Sequence, residues 1–222
     1  TASAALGRTL TAGLMMGFMM KNERDRLTIN INGGGPIGTI LTVSDNSGHV
    51  KGYADNPNVD LELKENGKLN VGGAVGTQGK LTVMMDIGMK EPYVGSTDLA
   101  TGEIGEDIAL YYYLSEQQNT AVALGVLVDI DYSIKAAGGF MVQTLPFIEE
   151  EDLIKLENTL NNFKSVSEYF DSEKDVEEIA KEIFSDFEIE VLDRIPVAFN
   201  CDCSEERMEQ ALISIGRQDL KE

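Results

Sequence analysis

The chain has 222 residues, 42% of them hydrophobic, with two cysteines and a single histidine. Its 38 acidic and 18 basic side chains leave a net charge of −20, which argues against nucleic acid or an anionic membrane as partner, since both are held by clustered Lys and Arg. No apolar run is long enough to span a membrane, and two cysteines one residue apart build no long-range disulfide framework, so a reducing cytoplasm is the expected compartment.

The chain opens at Thr1 with no initiator methionine, so a preceding segment is expected. Residues 4–20 are rich in Ala, Leu, Met and Gly, with apolar side chains on all faces, which predicts a core helix. The stretch 10–20 resembles a signal-peptide apolar core. It lacks a small-residue cleavage site before Lys21, and Arg8 alone precedes it, so it reads as a buried helix. Met15, Met16, Met19 and Met20 are expected to pack there rather than form an adaptable surface.

Leu27-Thr28-Ile29-Asn30-Ile31-Asn32 alternates with period two and predicts a half-buried strand. Gly33-Gly34-Gly35-Pro36 is a turn. Strands are expected over 37–43, 50–53, 59–63, 69–71, 81–86 and 122–128. Short, regular turns between them, such as Asp45-Asn46-Ser47-Gly48, point to an antiparallel sheet. Residues 105–118 break this pattern, because Ile108, Ala109, Tyr112 and Tyr113 recur at helical spacing. The first region ends near 142–146.

Composition changes after Phe147. Residues 149–193 hold 16 acidic side chains and 4 lysines, a net charge of −12. Leu153, Leu156, Leu160 and Phe163 form one helical stripe. Val176, Ile179, Ala180, Ile183, Phe184 and Phe187 form another, with Ser172 and Asp175 as a capping box. Two acidic amphipathic helices are therefore expected, with a short strand over Phe187, Ile189 and Val191. Beyond the cysteines, Ser204 is a good N-cap. Met208, Ala211, Leu212 and Ile215 then suggest a short helix, with Gly216 as its C-cap.

Cys201-Asp202-Cys203 carries the most chemistry. In an extended segment both thiols point the same way. They offer two ligands to a soft metal ion, or a small-ring disulfide that is easily reduced, or two unremarkable thiols. His49, the one histidine, lies far off in sequence and reads as a solvated turn residue. Gly73-Ala74-Val75-Gly76-Thr77-Gln78-Gly79-Lys80 fails as a phosphate loop, since Ala74 stands where Gly is needed and Leu81 where Ser or Thr is needed. It is read as a hairpin turn. Gly33-Gly34-Gly35-Pro36-Ile37-Gly38 lacks dinucleotide-loop spacing, and Pro36 removes an amide donor. Glu103, Glu106, Asp107 and Glu116 have no nucleophile or base at a supporting spacing and read as solvated helix positions.

Taken together, these segments resemble the 33 kDa chaperonin family, redox-regulated heat-shock holdases. The resemblance lies in Ala4-Ala5-Leu6-Gly7-Arg8-Thr9-Leu10-Thr11-Ala12, in Gly35-Pro36-Ile37-Gly38, and in Gly48-His49-Val50-Lys51-Gly52-Tyr53. It continues through Pro92-Tyr93-Val94-Gly95, Gly102-Glu103-Ile104-Gly105-Glu106-Asp107-Ile108-Ala109, Ser115-Glu116-Gln117, Ala136-Ala137-Gly138-Gly139, Val142-Gln143 and Leu145-Pro146. It closes with Phe199-Asn200-Cys201-Asp202-Cys203-Ser204-Glu205-Glu206-Arg207. Members of that family begin several tens of residues earlier and carry a C-x-x-C pair after the C-x-C pair.

The resemblance implies an α+β fold: a large domain of antiparallel sheet with packed helices over 1–146, an acidic helical linker over 147–196, and the first half of a redox-switch zinc domain over 197–222. It implies a non-enzymatic, ATP-independent holdase that prevents aggregation of unfolding proteins under oxidative stress. Zinc is held in the reduced state by Cys201, Cys203 and two cysteines absent from this chain. Oxidation to a Cys201–Cys203 disulfide releases the zinc and undocks the linker. Leu153, Leu156, Leu160, Phe163, Val176, Ile179, Ile183 and Phe184 are then the expected client-binding side chains. The active form is expected to be a homodimer, with no nucleotide, nucleic acid or membrane partner. Two other readings of the cysteine pair stand beside this one: a thiol–disulfide oxidoreductase and a binding module with a purely structural zinc knob.

Overall fold

The computed structural model describes residues 1–172 and 174–215. Helix α1 (Ala2–Phe18) is followed by strands β1 (Arg26–Asn32), β2 (Ile40–Ser44) and β3 (His49–Ala54), helix α2 (Val71–Val75), and strands β4 (Lys80–Asp86) and β5 (Tyr93–Asp98). Helix α3 (Gly105–Tyr111) runs into a π-helical turn, Tyr112–Glu116, and leads to the hairpin of β6 (Thr120–Val128) and β7 (Ile134–Gln143). Three helices follow, α4 (Glu150–Asn162), α5 (Val166–Phe170) and α6 (Val176–Ile183), then strand β8 (Ala198–Phe199) and helix α7 (Glu205–Ile215). The fold is α+β, as expected.

The larger sheet has the order β5-β4-β1-β2-β3-β8 and is antiparallel except where β8 joins β3 in parallel. Its inner face is set by alternation: Leu27, Ile29 and Ile31 on β1, Ile40 on β2, and Leu81 and Val83 on β4 are all buried. Helix α1 packs against this sheet and also against the β6–β7 hairpin, which is why its sequence is apolar all round. Its glycines let it come close: a Cβ at Gly13 would touch Thr42, and one at Gly7 would lie 2.9 Å from Val126. Met16 is buried, while Met19 is 45% exposed, so the four methionines divide between core and surface.

Several expected strands take other forms. The segment 37–43 becomes a strand only from Ile40. Before it, Gly38 has φ +73° and Ile37 is buried with its amide donating to Ala74 O. Residues 59–63 are not a strand. Their backbone is satisfied by the chain start instead, with Ala2 N donating to Val59 O and Leu61 N to Thr1 Oγ1. The strand expected at 69–71 is the entry to α2, whose N-cap Asn70 accepts from Gly73 N at 3.0 Å. The hairpin turn read at 73–80 is accordingly the last part of α2 and a bend into β4, because burial of Val71, Ala74 and Val75 favours a helical turn there.

The linker holds three helices where two are expected. The extra one, α5, is N-capped by Ser165. The capping box of α6 is Asp175 with Glu178, not Ser172 with Asp175. Ser172 Oγ donates to Tyr169 O at 2.6 Å instead and closes the end of α5. No strand forms over Phe187, Ile189 and Val191; β8 forms later, at the outer edge of β3. On α7, Met208 and Leu212 are exposed. The side chains of Ala211 and Ile215, and the C-cap expected at Gly216, lie outside the described residues.

Candidate functional site

The cysteine segment is tied to the edge of the larger sheet. Ala198 N donates to Gly48 O and Asn200 N to Val50 O, both at 2.9 Å. Gly48 has φ +83°, and a Cβ there would collide with Pro196 O, so a side chain at that position would push the incoming strand away. Lys51, on β3, pairs with Asp202 between the two cysteines. Sequence reading missed Gly48 and Lys51, since neither is near the cysteines in the chain. His49 is exposed, as expected. The fold nonetheless brings it to the same edge, in register with Ala198, with Nδ1 at 3.6 Å from an Asp45 carboxylate oxygen.

Cys201 and Cys203 are free and exposed. Their environments differ. The Cys201 thiol is held below its usual value by hydrogen bonds from the Cys203 backbone amide and side chain, with the Lys51 ammonium adding to the effect. The Cys203 thiol is pushed up by the same hydrogen bond and by the charge that develops on Cys201. The hydrogen bond between them thus favours the thiolate at Cys201 over that at Cys203. Two neighbouring sulfurs fit two corners of a tetrahedral thiolate site. Among the described residues, no group of three or more His, Cys, Asp and Glu side chains could hold a metal ion.

The linker stripes meet the β6–β7 hairpin, on the opposite face from α1. This is the smaller sheet, not the larger one. Phe140 of β7 makes edge-to-face contacts with Phe163 (5.1 Å between ring centroids) and with Phe184 (5.4 Å). Phe163 also stacks on Tyr169 at 5.3 Å. Of the expected client-binding residues, Ile179 and Ile183 are buried, Leu153, Leu156, Leu160, Phe163 and Phe184 are half-buried, and Val176 is 66% exposed. Helix α4 buries no residue completely.

The tightest contact belongs to α5, which the sequence reading did not anticipate. Gly125 and Gly138 are cross-strand partners and open a slot in the hairpin face. Val166 fills it at Gly125, where a Cβ would lie 2.6 Å from the Val166 Cβ, and Phe170 covers Gly138 so closely that a Cβ would strike its ring. Ser165 as an N-cap ahead of Val166, Tyr169 and Phe170 was a readable signal for this helix.

The four carboxylates considered for acid–base chemistry are mostly not solvated. Glu103 accepts from Arg8 Nη1 at 2.8 Å and from the Gly72 amide at 3.1 Å, and also pairs with Lys64. Asp107 is buried and accepts from the amides of Ala100, Thr101 and Ile104. Glu116 accepts from Tyr111 Oη at 2.6 Å. Only Glu106 is exposed. These groups brace the backbone around α2 and α3.

Over residues 1–222 the chain matches the family described as Hsp33 protein. It is 54% identical over 221 residues to the 33 kDa chaperonin of Alkaliphilus oremlandii, covering 100% of this chain and 74% of that protein. The 33 kDa chaperonin of Clostridium botulinum is 48% identical over 222 residues, covering 100% of this chain and 75% of its own length. The crystal structure of the 33 kDa chaperonin from Thermotoga maritima superposes with a TM-score of 0.88 at 35% identity, over 99% of this chain and 74% of that one.

Proposed function

The chain belongs to the Hsp33 family of chaperones, and from that premise we propose that it is an ATP-independent holdase switched on by oxidation of Cys201 and Cys203. The observation that carries this reading is a physical one. The cysteine segment is joined to the core by a two-residue strand and by the Lys51–Asp202 pair, and between it and the core lies a linker that buries only Val166, Ile179 and Ile183 among the described residues. Chemistry at the sulfurs thus acts on the part of the molecule with the least burial to lose.

In the reduced chain Cys201 and Cys203 would supply two of the four thiolate ligands to a zinc ion, the other two being those of the C-x-x-C pair that the family resemblance implies. Zinc binding supplies folding free energy to the segment that carries its ligands. A two-electron oxidant such as peroxide takes two electrons from the two thiolates, and two protons come from solvent. The Cys201–Cys203 S–S bond forms, the peroxide O–O bond breaks, and two waters leave. Half of the donor set is then gone.

With the segment loosened, the linker is left with its docking contacts against a net charge of −12. Undocking exposes Leu153, Leu156, Leu160, Phe163, Val176, Ile179, Ile183 and Phe184, together with the β6–β7 face beneath. That combined surface binds partly unfolded clients, and the carboxylates keep the complex in solution. The protein acts in the cytoplasm, dimerises when active and uses no nucleotide. No described helix is long and apolar enough to cross a membrane.

The asymmetry of the two thiols favours one second reading, a thiol–disulfide oxidoreductase with Cys201 as nucleophile. One experiment separates the two. Zinc release and suppression of client aggregation are followed together after mild peroxide treatment of the full-length protein, for the wild type and for Cys201→Ser. The holdase reading expects Cys201→Ser to lose the peroxide-dependent gain in suppression. A variant switched on normally by peroxide would exclude it, and catalytic turnover of a disulfide substrate would favour the oxidoreductase.

A further inference from the structure

We propose that the outer edge of β3 is a strand-addition site for extended segments of unfolded polypeptide, occupied in the resting chain by β8. The inference rests on the chaperone reading and assigns it a second, backbone-directed contact apart from the apolar linker surface.

The backbone of β3 divides its hydrogen bonds by period two. Asp45 N donates to His49 O, so His49, Lys51 and Tyr53 turn their backbone groups toward β2. Gly48, Val50, Gly52 and Ala54 turn theirs outward. In the first part of this outer row Gly48 O and Val50 O accept from Ala198 and Asn200, and the ladder with β8 covers His49 and Val50. The row continues past β8 to Gly52 and Ala54.

The occupant already seated there shows what the edge accepts. Val197 and Phe199 are 65% and 63% exposed, so β8 is held through its main chain and not by buried side chains. A site that reads only main chain is indifferent to sequence, as a partner for many unrelated unfolded chains must be. Gly48 clears the approach, because a side chain there would strike the incoming strand at Ile195 and Pro196. The short β8 also blocks an edge that would otherwise be open to pairing. When the cysteine segment leaves the sheet, Val50, Gly52 and Ala54 become an open row, and a client strand takes the vacated seat.

Residue-resolved amide hydrogen exchange on the peroxide-activated full-length protein tests this, with and without saturating reduced, carboxymethylated α-lactalbumin, which cannot refold. The Val50 and Gly52 amides should exchange at least about tenfold more slowly with the client present. The Lys51 and Tyr53 amides, bonded to β2, should be protected in both states. If Val50 and Gly52 exchange at the client-free rate while aggregation is still suppressed, the inference fails and the chaperone reading stands. If aggregation is never suppressed, both fail. Protection that appears without client and grows with protein concentration overturns it in favour of a second copy of the chain.

Discussion

Glu103 shows how one side chain can belong to a family pattern without taking part in the chemistry. It sits where α1, the loop before α2 and α2 itself converge, and one donor from each meets on it. Burial works to raise its carboxyl pKa, but hydrogen bonds from Lys64, Arg8 and the Gly72 amide outweigh that, and the group is held below its ordinary value. A carboxyl lowered on folding adds stability that is complete above its unfolded value and is lost as pH falls through the folded one. Glu103→Gln should therefore cost about 1–3 kcal/mol at neutral pH and flatten the acid limb of the stability curve. Denaturant melts at pH 7 and pH 4 check both. The cysteine pair was legible because its meaning lies in spacing alone. The partner Lys51 was not, since an ion pair between residues 151 positions apart exists only once β8 has found β3.

The linker helices depend on a surface that has no strong signature of its own. Strands β1, β4 and β6 alternate or are rich in β-branched residues and could be read directly. Strand β7 contains Ala136-Ala137-Gly138-Gly139, which are poor strand formers, and it forms because β6 pairs with it along its length. Those same small residues make the seat for α5. Gly138→Val should favour the strand yet fill the place of the Phe170 ring, at a cost to docking of about 1–3 kcal/mol. The reduced variant should suppress client aggregation without peroxide, and a protease should cut 147–196 faster while the core melts as before. A variant that stays silent and protease-resistant would show that α5 does not hold the linker down.

Charge acts on the molecule as a whole. The acidic linker lies on a chain that is itself strongly negative, and its exposed ion pairs, such as Lys181 with Glu177 at 2.7 Å, contribute little each. Salt shortens the reach of this repulsion, from a Debye length of about 14 Å at 0.05 M to about 4 Å at 0.5 M. Linker proteolysis in the reduced protein should slow over that range, and acceleration would show that the ion pairs outweigh the repulsion. Periodicity, charge distribution and the C-x-C spacing are local properties, so the α+β class, the helical acidic segment and the candidate sulfur pair could all be read from the order of residues. Other features needed the folded chain: the choice of the β6–β7 hairpin as the linker's seat, the slot at Gly125 and Gly138, and the anchoring of the cysteines at β3. Each is a contact between segments distant in sequence. Such contacts depend on which edges and faces remain unpaired after the core has packed, and no local pattern encodes that.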